Sequence, residues 1–268
     1  QQLITDRFTV AMVMRFYRSI PQEIKDAIAP YGYFKAKIQG DIQRDGRFWS
    51  SHFVVSPGPR MKFTTLDFQI TGPGSQDPIF KRFYKKFPVK IGGNFNSTKY
   101  EKAKNELFDV AANHGYFKAK MIKSAIYINL STYEAHVVIH FATGPRYRFG
   151  HTTFSHTPFN IHFLQRFLHY KKGELYRQGK VRRTREGLAN SNYFEQVIIT
   201  PESHKAHNLA VPMNISISLQ PKKQYTFGLG YGTDTGVRGL LGIDYRWINQ
   251  WGHRFNTYIR GSQKNSEA

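Results

Sequence analysis

A six-residue string, Gly-Tyr-Phe-Lys-Ala-Lys, occurs at 32–37 and again, unchanged, at 115–120. A degenerate third copy, Asn-Tyr-Phe-Glu-Gln-Val, sits at 192–197. A second element follows the first two copies, as Gly58-Pro59-Arg60-Met61-Lys62-Phe63 and Gly144-Pro145-Arg146-Tyr147-Arg148-Phe149. Two linked motifs returning about every 80 residues require a string of like modules rather than one large core.

Each unit reads the same way. Ala103, Leu107, Val110 and Ala111 share one face of a helical pattern, and Thr98 with Glu101 forms a Thr-x-x-Glu capping box at its start. The glycine of Gly-Tyr-Phe is expected to end that helix with positive φ, with Asn192 standing in for it in the third copy. Two β-patterned runs follow, Met121 to Leu130 and Ala135 to Ala142, joined by Ser-Thr-Tyr-Glu. After the Gly-Pro-Arg turn comes a strand that opens the next unit (Tyr147 to Ser155), then a shorter helical segment, at Ile79–Phe87 and again at Ile161–Tyr170. The module is strand, helix, helix, strand, strand. The predicted bounds are 1–60, lacking its opening strand, then 61–146 and 147–222.

The texture changes over 223–268. Tyr225, Phe227, Leu229 and Tyr231 alternate with Thr226, Gly228, Gly230 and Gly232, and Leu241, Ile243, Tyr245 and Trp247 alternate with Leu240, Gly242, Asp244 and Arg246. Phe255, Thr257 and Ile259 continue the pattern, while Arg238, Asp244, Arg246, Arg254 and Arg260 take the other face. Strands with one aromatic, apolar face and one polar face, joined by short turns, suit a transmembrane barrel. Three strands cannot close one, so the segment is expected to open a longer barrel. Gly228-x-Gly230-x-Gly232 belongs to this pattern and not to a nucleotide cradle, because a strand and not a helix follows it.

The fold class predicted is therefore α+β: tandem βααββ modules, then the first antiparallel strands of a membrane barrel. No apolar run is long enough for a membrane-spanning helix, and the opening Gln-Gln-Leu-Ile-Thr has no signal-peptide pattern, so any export signal is expected to be already removed or never present. With no cysteine, disulfides and thiolate metal sites are excluded. The net charge of +21 is spread over all four segments, where a nucleic-acid binder often concentrates it on one patch, and such a spread suits an anionic partner such as lipid headgroups, lipopolysaccharide or acidic polypeptide.

Candidate sites are few. His136 and His140 share a strand face, and His151/His156 and His204/His207 are close pairs, but no carboxylates accompany them at metal-ligand spacing. They read as solvent-facing or hydrogen-bonded, and no metal or cofactor is expected. Lys180, Arg182, Arg183 and Arg185 read as the solvated face of a helix that buries Val181 and Leu188, or else as contacts for lipid phosphate or an acidic partner. No nucleophile motif, P-loop or catalytic acid pair is present, so an enzyme is not expected.

The repeats resemble POTRA domains, the βααββ modules that precede outer-membrane assembly barrels. Gly144-Pro145-Arg146-Tyr147-Arg148-Phe149-Gly150-His151-Thr152-Thr153-Phe154, Gly228 through Arg238, and the turn Asn249-Gln250-Trp251-Gly252-His253 are similar to the TamA family of autotransporter assembly factors. Pro21 and Pro30, in or beside the first module's second helix, depart from the pattern. The resemblance implies a Gram-negative outer-membrane assembly factor whose modules lie in the periplasm and whose barrel meets outer-membrane lipid. It implies a TamB-like, inner-membrane-anchored partner and unfolded outer-membrane or autotransporter polypeptides as clients, received by β-augmentation. It also puts the strand after each Gly-Tyr-Phe at a sheet edge. The expected docking strand is Ala119–Leu130, with Ala119, Lys120, Met121, Ile122, Lys123, Ser124, Ala125 and Ile126 as contacts and Ile122 bonding outward. A BamA-like insertase, a two-partner secretion translocator and, more remotely, a basic nucleic-acid-binding repeat are the alternative readings, although no nucleic acid is expected.

Overall fold

The structure is a computed structural model and describes residues 9–46, 48–155, 157–233, 236–263 and, for the backbone, 266–267. The chain divides into two compact units, one of residues 1–111 and 118–144, the other of residues 112–117 and 145–268, so that the second Gly-Tyr-Phe turn belongs with the third module.

The first module consists of helix α1 (Val10–Ile28) and the antiparallel hairpin of β1 (Lys37–Asp45) and β2 (Phe48–Ser56). Thr9 caps α1 by accepting from the Met12 amide at 3.4 Å. Pro21 lies inside this helix, and Pro30 falls in the single 3-10 turn after it, so neither proline breaks the module.

The second module is β3 (Lys62–Thr71), α2 (Pro78–Lys86), α3 (Ser97–Asn113), β4 (Lys120–Asn129) and β5 (Glu134–Ala142). Its sheet runs β3-β5-β4, with β3 parallel and β4 antiparallel to the central β5. Alternation along β5 buries Ala135, Val137, Ile139 and Phe141, and the Phe141 ring meets Phe80 of α2 at 6.1 Å and Phe108 of α3 at 5.3 Å. The start of α3 differs from the expected capping box. Asn96 accepts from the Lys99 amide at 2.8 Å, and Glu101 pairs instead with Lys104 at 2.5 Å. Asparagine is the stronger cap, and it sits where the chain turns into the helix.

The third module repeats the plan with β6 (Arg148–Phe154), α4 (Ile161–Gln165), α5 (Gln178–Ala189), β7 (Phe194–Pro201) and β8 (Ala210–Leu219), its sheet running β6-β8-β7. Helix α4 stops well short of Tyr170 and continues as three-residue turns, Arg166 to Phe163, Phe167 to Leu164 and Leu168 to Gln165. Its anchors explain this. Phe163 and Leu164 fill one apolar cluster and Tyr170 another, stacked on Phe149 at 4.0 Å, and a continuous helix would not deliver both.

The repeated motifs turn out to be the two halves of one clasp. Gly32 and Gly115 end their helices at φ +92° and +85°, and Asn192 takes φ +60° in the third copy. The arginine of Gly-Pro-Arg returns to that turn. Arg60 Nε donates to the Tyr31 carbonyl (2.8 Å) and its guanidinium lies 5.6 Å over Tyr33, while Arg146 Nε donates to the His114 carbonyl (3.0 Å) and lies 5.6 Å over Tyr116. The next strand is tied down as well, through the Met61 amide on the Gly32 carbonyl and the Tyr147 amide on the Gly115 carbonyl. The hexapeptide recurs because each copy must terminate a helix and receive the module that follows.

The last strands are β9 (Lys223–Gly232), β10 (Gly236–Tyr245), β11 (Phe255–Ser262) and the short β12 (Ser266–Glu267), an open antiparallel sheet in the order β12-β11-β10-β9. Register places Tyr225, Phe227, Leu229, Leu241, Ile243 and Ile259 on one face, and Leu229 and Phe227 are 93% and 77% exposed. The other face carries Asp244, held by the Tyr258 hydroxyl at 2.7 Å, with Gly228 under Leu240. Trp247 departs from the expected alternation. It lies past the end of β10 and is buried among Phe159, Phe163, Tyr193 and Phe194 of the third module.

Candidate strand-docking site

In both complete modules the strand after Gly-Tyr-Phe is an edge. Among the described residues β4 pairs only with β5, and β7 pairs only with β8. Backbone alternation identifies the groups left over. The Thr143 amide, following β5, donates to Thr71 of β3, so odd-numbered residues there bond toward β3 and even-numbered ones toward β4. On β4 this leaves Ser124, Ile126 and Ile128 with main-chain groups facing outward. Ile122 does not belong to that set. The register slips between Met121 and Lys123, which makes Ile122 the extra residue of a β-bulge, 56% exposed. Ala119 precedes the strand, and Lys120 and Lys123 pair inward with Ala142 and His140.

The outward groups of β4 border a groove of about 490 Å³ whose far side is formed by α3 and the end of the first module. Its apolar lining includes Pro30, Phe34, Ile126 and Ile128 beside the buried rings of Phe95 and Tyr100, and Asp26, Glu101 and Lys104 supply its charge. The Tyr100 hydroxyl meets the Ser124 hydroxyl at 2.6 Å across the groove floor. An extended strand laid here would gain main-chain bonds on one side and apolar contact on the other, with little demand on its sequence.

The matching groove in the third module lies between α5 and β7, about 670 Å³. Its helix wall holds all four basic residues singled out in the sequence, Lys180, Arg182, Arg183 and Arg185, together with Arg177. Lys180 is bonded to Glu174, whose carboxyl that bond holds below the usual range, and Arg182 lies 3.6 Å from Glu186. Neighbouring Tyr170 and Tyr176 are pushed up by burial, so both stay neutral, and Tyr176 donates to Gln178.

The histidines are occupied individually. His136 Nδ1 meets Thr65 at 2.6 Å and His140 Nε2 meets Asp67 at 2.7 Å, which lowers the Asp67 carboxyl. No group of three potential metal ligands gathers among the described residues, and His156 lies outside them.

A third element was not read from the sequence. The loop after β10 closes on the third module. Gln250 accepts from the Asn160 amide (2.9 Å), Gly252 accepts from the Tyr193 hydroxyl (2.6 Å), and Arg254 bonds the Ser191 carbonyl with its guanidinium 4.3 Å over Tyr193. Arg254 thus occupies on the third Tyr-Phe copy the place that Arg60 and Arg146 occupy on the first two. The available signal was that this arginine, like the others, follows a glycine-containing turn.

Residues 3–57 match the family described as POTRA domain, TamA domain 1. The chain shares its fold with BamA from Haemophilus ducreyi lacking POTRA domains 1–3, at 15% identity and a TM-score of 0.62 over 75% of this chain and 37% of that one. Weaker overlaps are found with Haemophilus influenzae BamA POTRA3-5 (17% identity, TM-score 0.46, 75% and 79% of the two chains) and CdiB from Acinetobacter baumannii (14%, 0.43, 95% and 46%). The fold is therefore that of tandem POTRA-like modules followed by antiparallel strands. The chain spans about a third of the BamA chain that it matches.

Proposed function

We propose that these modules are the periplasmic docking region of an outer-membrane protein assembly factor of the TamA kind, in a Gram-negative cell. In this reading the protein is non-catalytic. The β4 edge receives an extended strand from an inner-membrane-anchored, TamB-like partner or from an unfolded outer-membrane or autotransporter polypeptide. The exposed apolar face of β9–β11 faces lipid in the complete barrel. The observation that carries this is the free edge of β4, with outward main-chain groups at Ser124, Ile126 and Ile128 over an apolar groove. The fold shared with BamA supports a second reading, a general barrel insertase that uses the same edge.

The test is Ile126→Pro, which deletes one outward donor and leaves the bonds to β5 intact. The variant should keep its circular dichroism spectrum and lose about ten-fold or more in affinity for an unfolded outer-membrane polypeptide. Unchanged affinity in a folded variant would refute docking at this edge.

A further inference from the structure

We infer that the groove between α5 and β7 is a second docking site, selective for an extended segment rich in Asp and Glu. Three observations converge on it. First, β7 offers a free ladder. The Glu202 amide donates to the Pro212 carbonyl (2.9 Å) and the Gln220 amide to the Tyr193 carbonyl (3.0 Å), which brackets the pairing with β8. By alternation Ile198 and Thr200 bond inward, and Val197 and Ile199 present their main-chain groups outward. Pro201 ends the row, since it has no amide to offer.

Second, the opposite wall carries Arg177, Lys180, Arg182, Arg183 and Arg185, and no carboxylate lines this groove among the described residues. Third, the chain's own acids satisfy only part of that charge. Glu174 holds Lys180 and Glu186 reaches Arg182, whereas Arg183 and Arg185 have no carboxylate within ion-pair reach among the described residues. Like charges crowded on one short helix repel each other, and an anionic occupant relieves this. The wall formed by Val197, Ile198 and Ile199 is apolar and half of Ile198 is exposed, which suits alternating apolar and acidic side chains better than a headgroup phosphate. The pairing mode rests on the strand-addition reading made for β4, but the charge preference does not.

The experiment uses the whole chain in detergent micelles and three fluorescent peptides, alternating Val-Asp, Val-Ser and Val-Lys. The Val-Asp peptide should bind about five- to ten-fold tighter than Val-Ser at low salt, with Val-Lys weakest. Arg183→Glu with Arg185→Glu should reverse the order, and Arg183→Gln with Arg185→Gln should erase it, each with an unchanged melting profile. Ile199→Pro should weaken all three peptides. Several results overturn the inference: equal affinity for the three peptides, indifference of Val-Asp binding to the arginine variants, or loss of binding to phosphatidylglycerol vesicles in those variants with peptide affinity intact. Binding of Val-Asp that responds to Ile126→Pro but not to Ile199→Pro would sink this site and leave the β4 reading standing. Indifference to both prolines would remove strand addition at either edge.

Discussion

The second and third modules share one scaffold and differ in what they place beside the free edge. In both, a strand following a Tyr-Phe turn runs along the sheet margin, opposite a helix of the same module. In the second, the facing wall has Pro30 and Phe34 over buried Phe95 and Tyr100, with Asp26, Glu101 and Lys104 close to charge balance. In the third it is a row of cations. Main-chain pairing is indifferent to sequence, so the helix wall is the part of such a module that can discriminate. Repetition preserves the machinery for joining modules and leaves the groove wall free to specialise.

That comparison can be broken at the scaffold or at the wall. The largest effects belong to the scaffold. A Cβ at Gly32 would lie 2.9 Å from the Phe95 Cβ, and one at Gly115 would lie 2.9 Å from the Tyr176 Cβ, both at positive φ. Gly32→Ala and Gly115→Ala should each cost about 2–4 kcal/mol by chemical denaturation, whereas Gly92→Ala, at φ +80° in open space, should cost only about 1 kcal/mol. Unequal losses at the two matched glycines would end the claim of a common joint.

Next come the clasp arginines. Arg60→Ala, Arg146→Ala and Arg254→Ala should each destabilise by about 1 kcal/mol or more, since each removes the same charge-assisted bond to the turn and the same guanidinium–tyrosine stack, with Arg60 also losing a bond to the Phe95 carbonyl. If Arg254→Ala is silent while the other two are not, the loop after β10 is no equivalent of the Gly-Pro-Arg clasp.

The walls should differ in their response to salt. Raising sodium chloride from about 50 to about 300 mM should weaken peptide binding at the α5–β7 groove several-fold and barely change binding at β4. The smallest effect concerns Glu174. Lys180 holds its carboxyl below the usual value, so the pair's contribution is present above the unfolded carboxylate range and is lost as pH falls through the folded value. Glu174→Gln should remove a shallow acid-side slope from the melting temperature and strengthen Val-Asp binding by less than about three-fold.

Much of this frame was readable from the residues, because repeats, turn glycines and period-two strands are local signals. The strand–helix–helix–strand–strand order and the positive φ at Gly32, Gly115 and Asn192 follow from them. What escaped depends on partners distant in sequence. Ile122 alternates properly as a strand residue, but its bulge is set by register against β5. Trp247 continues an apolar alternation on paper, yet the strand has already ended and the ring enters the third module. The basic run on α5 is largely exposed over buried Val181 and Leu188, as a helical wheel suggests, but a wheel cannot show that this face borders the edge of β7. The bound of α4 failed for a similar reason, since its aromatic anchors serve two clusters.

The central claim, that these edges accept an added strand, is tested most directly by amide hydrogen exchange along β4 with and without bound polypeptide. Strand addition predicts an alternating result. Ser124, Ile126 and Ile128 gain protection on binding, while Ala125 and Tyr127, already paired with Val138 and His136, change little. Protection spread evenly along the strand, or confined to α3 with the outward amides still exchanging freely, would contradict it.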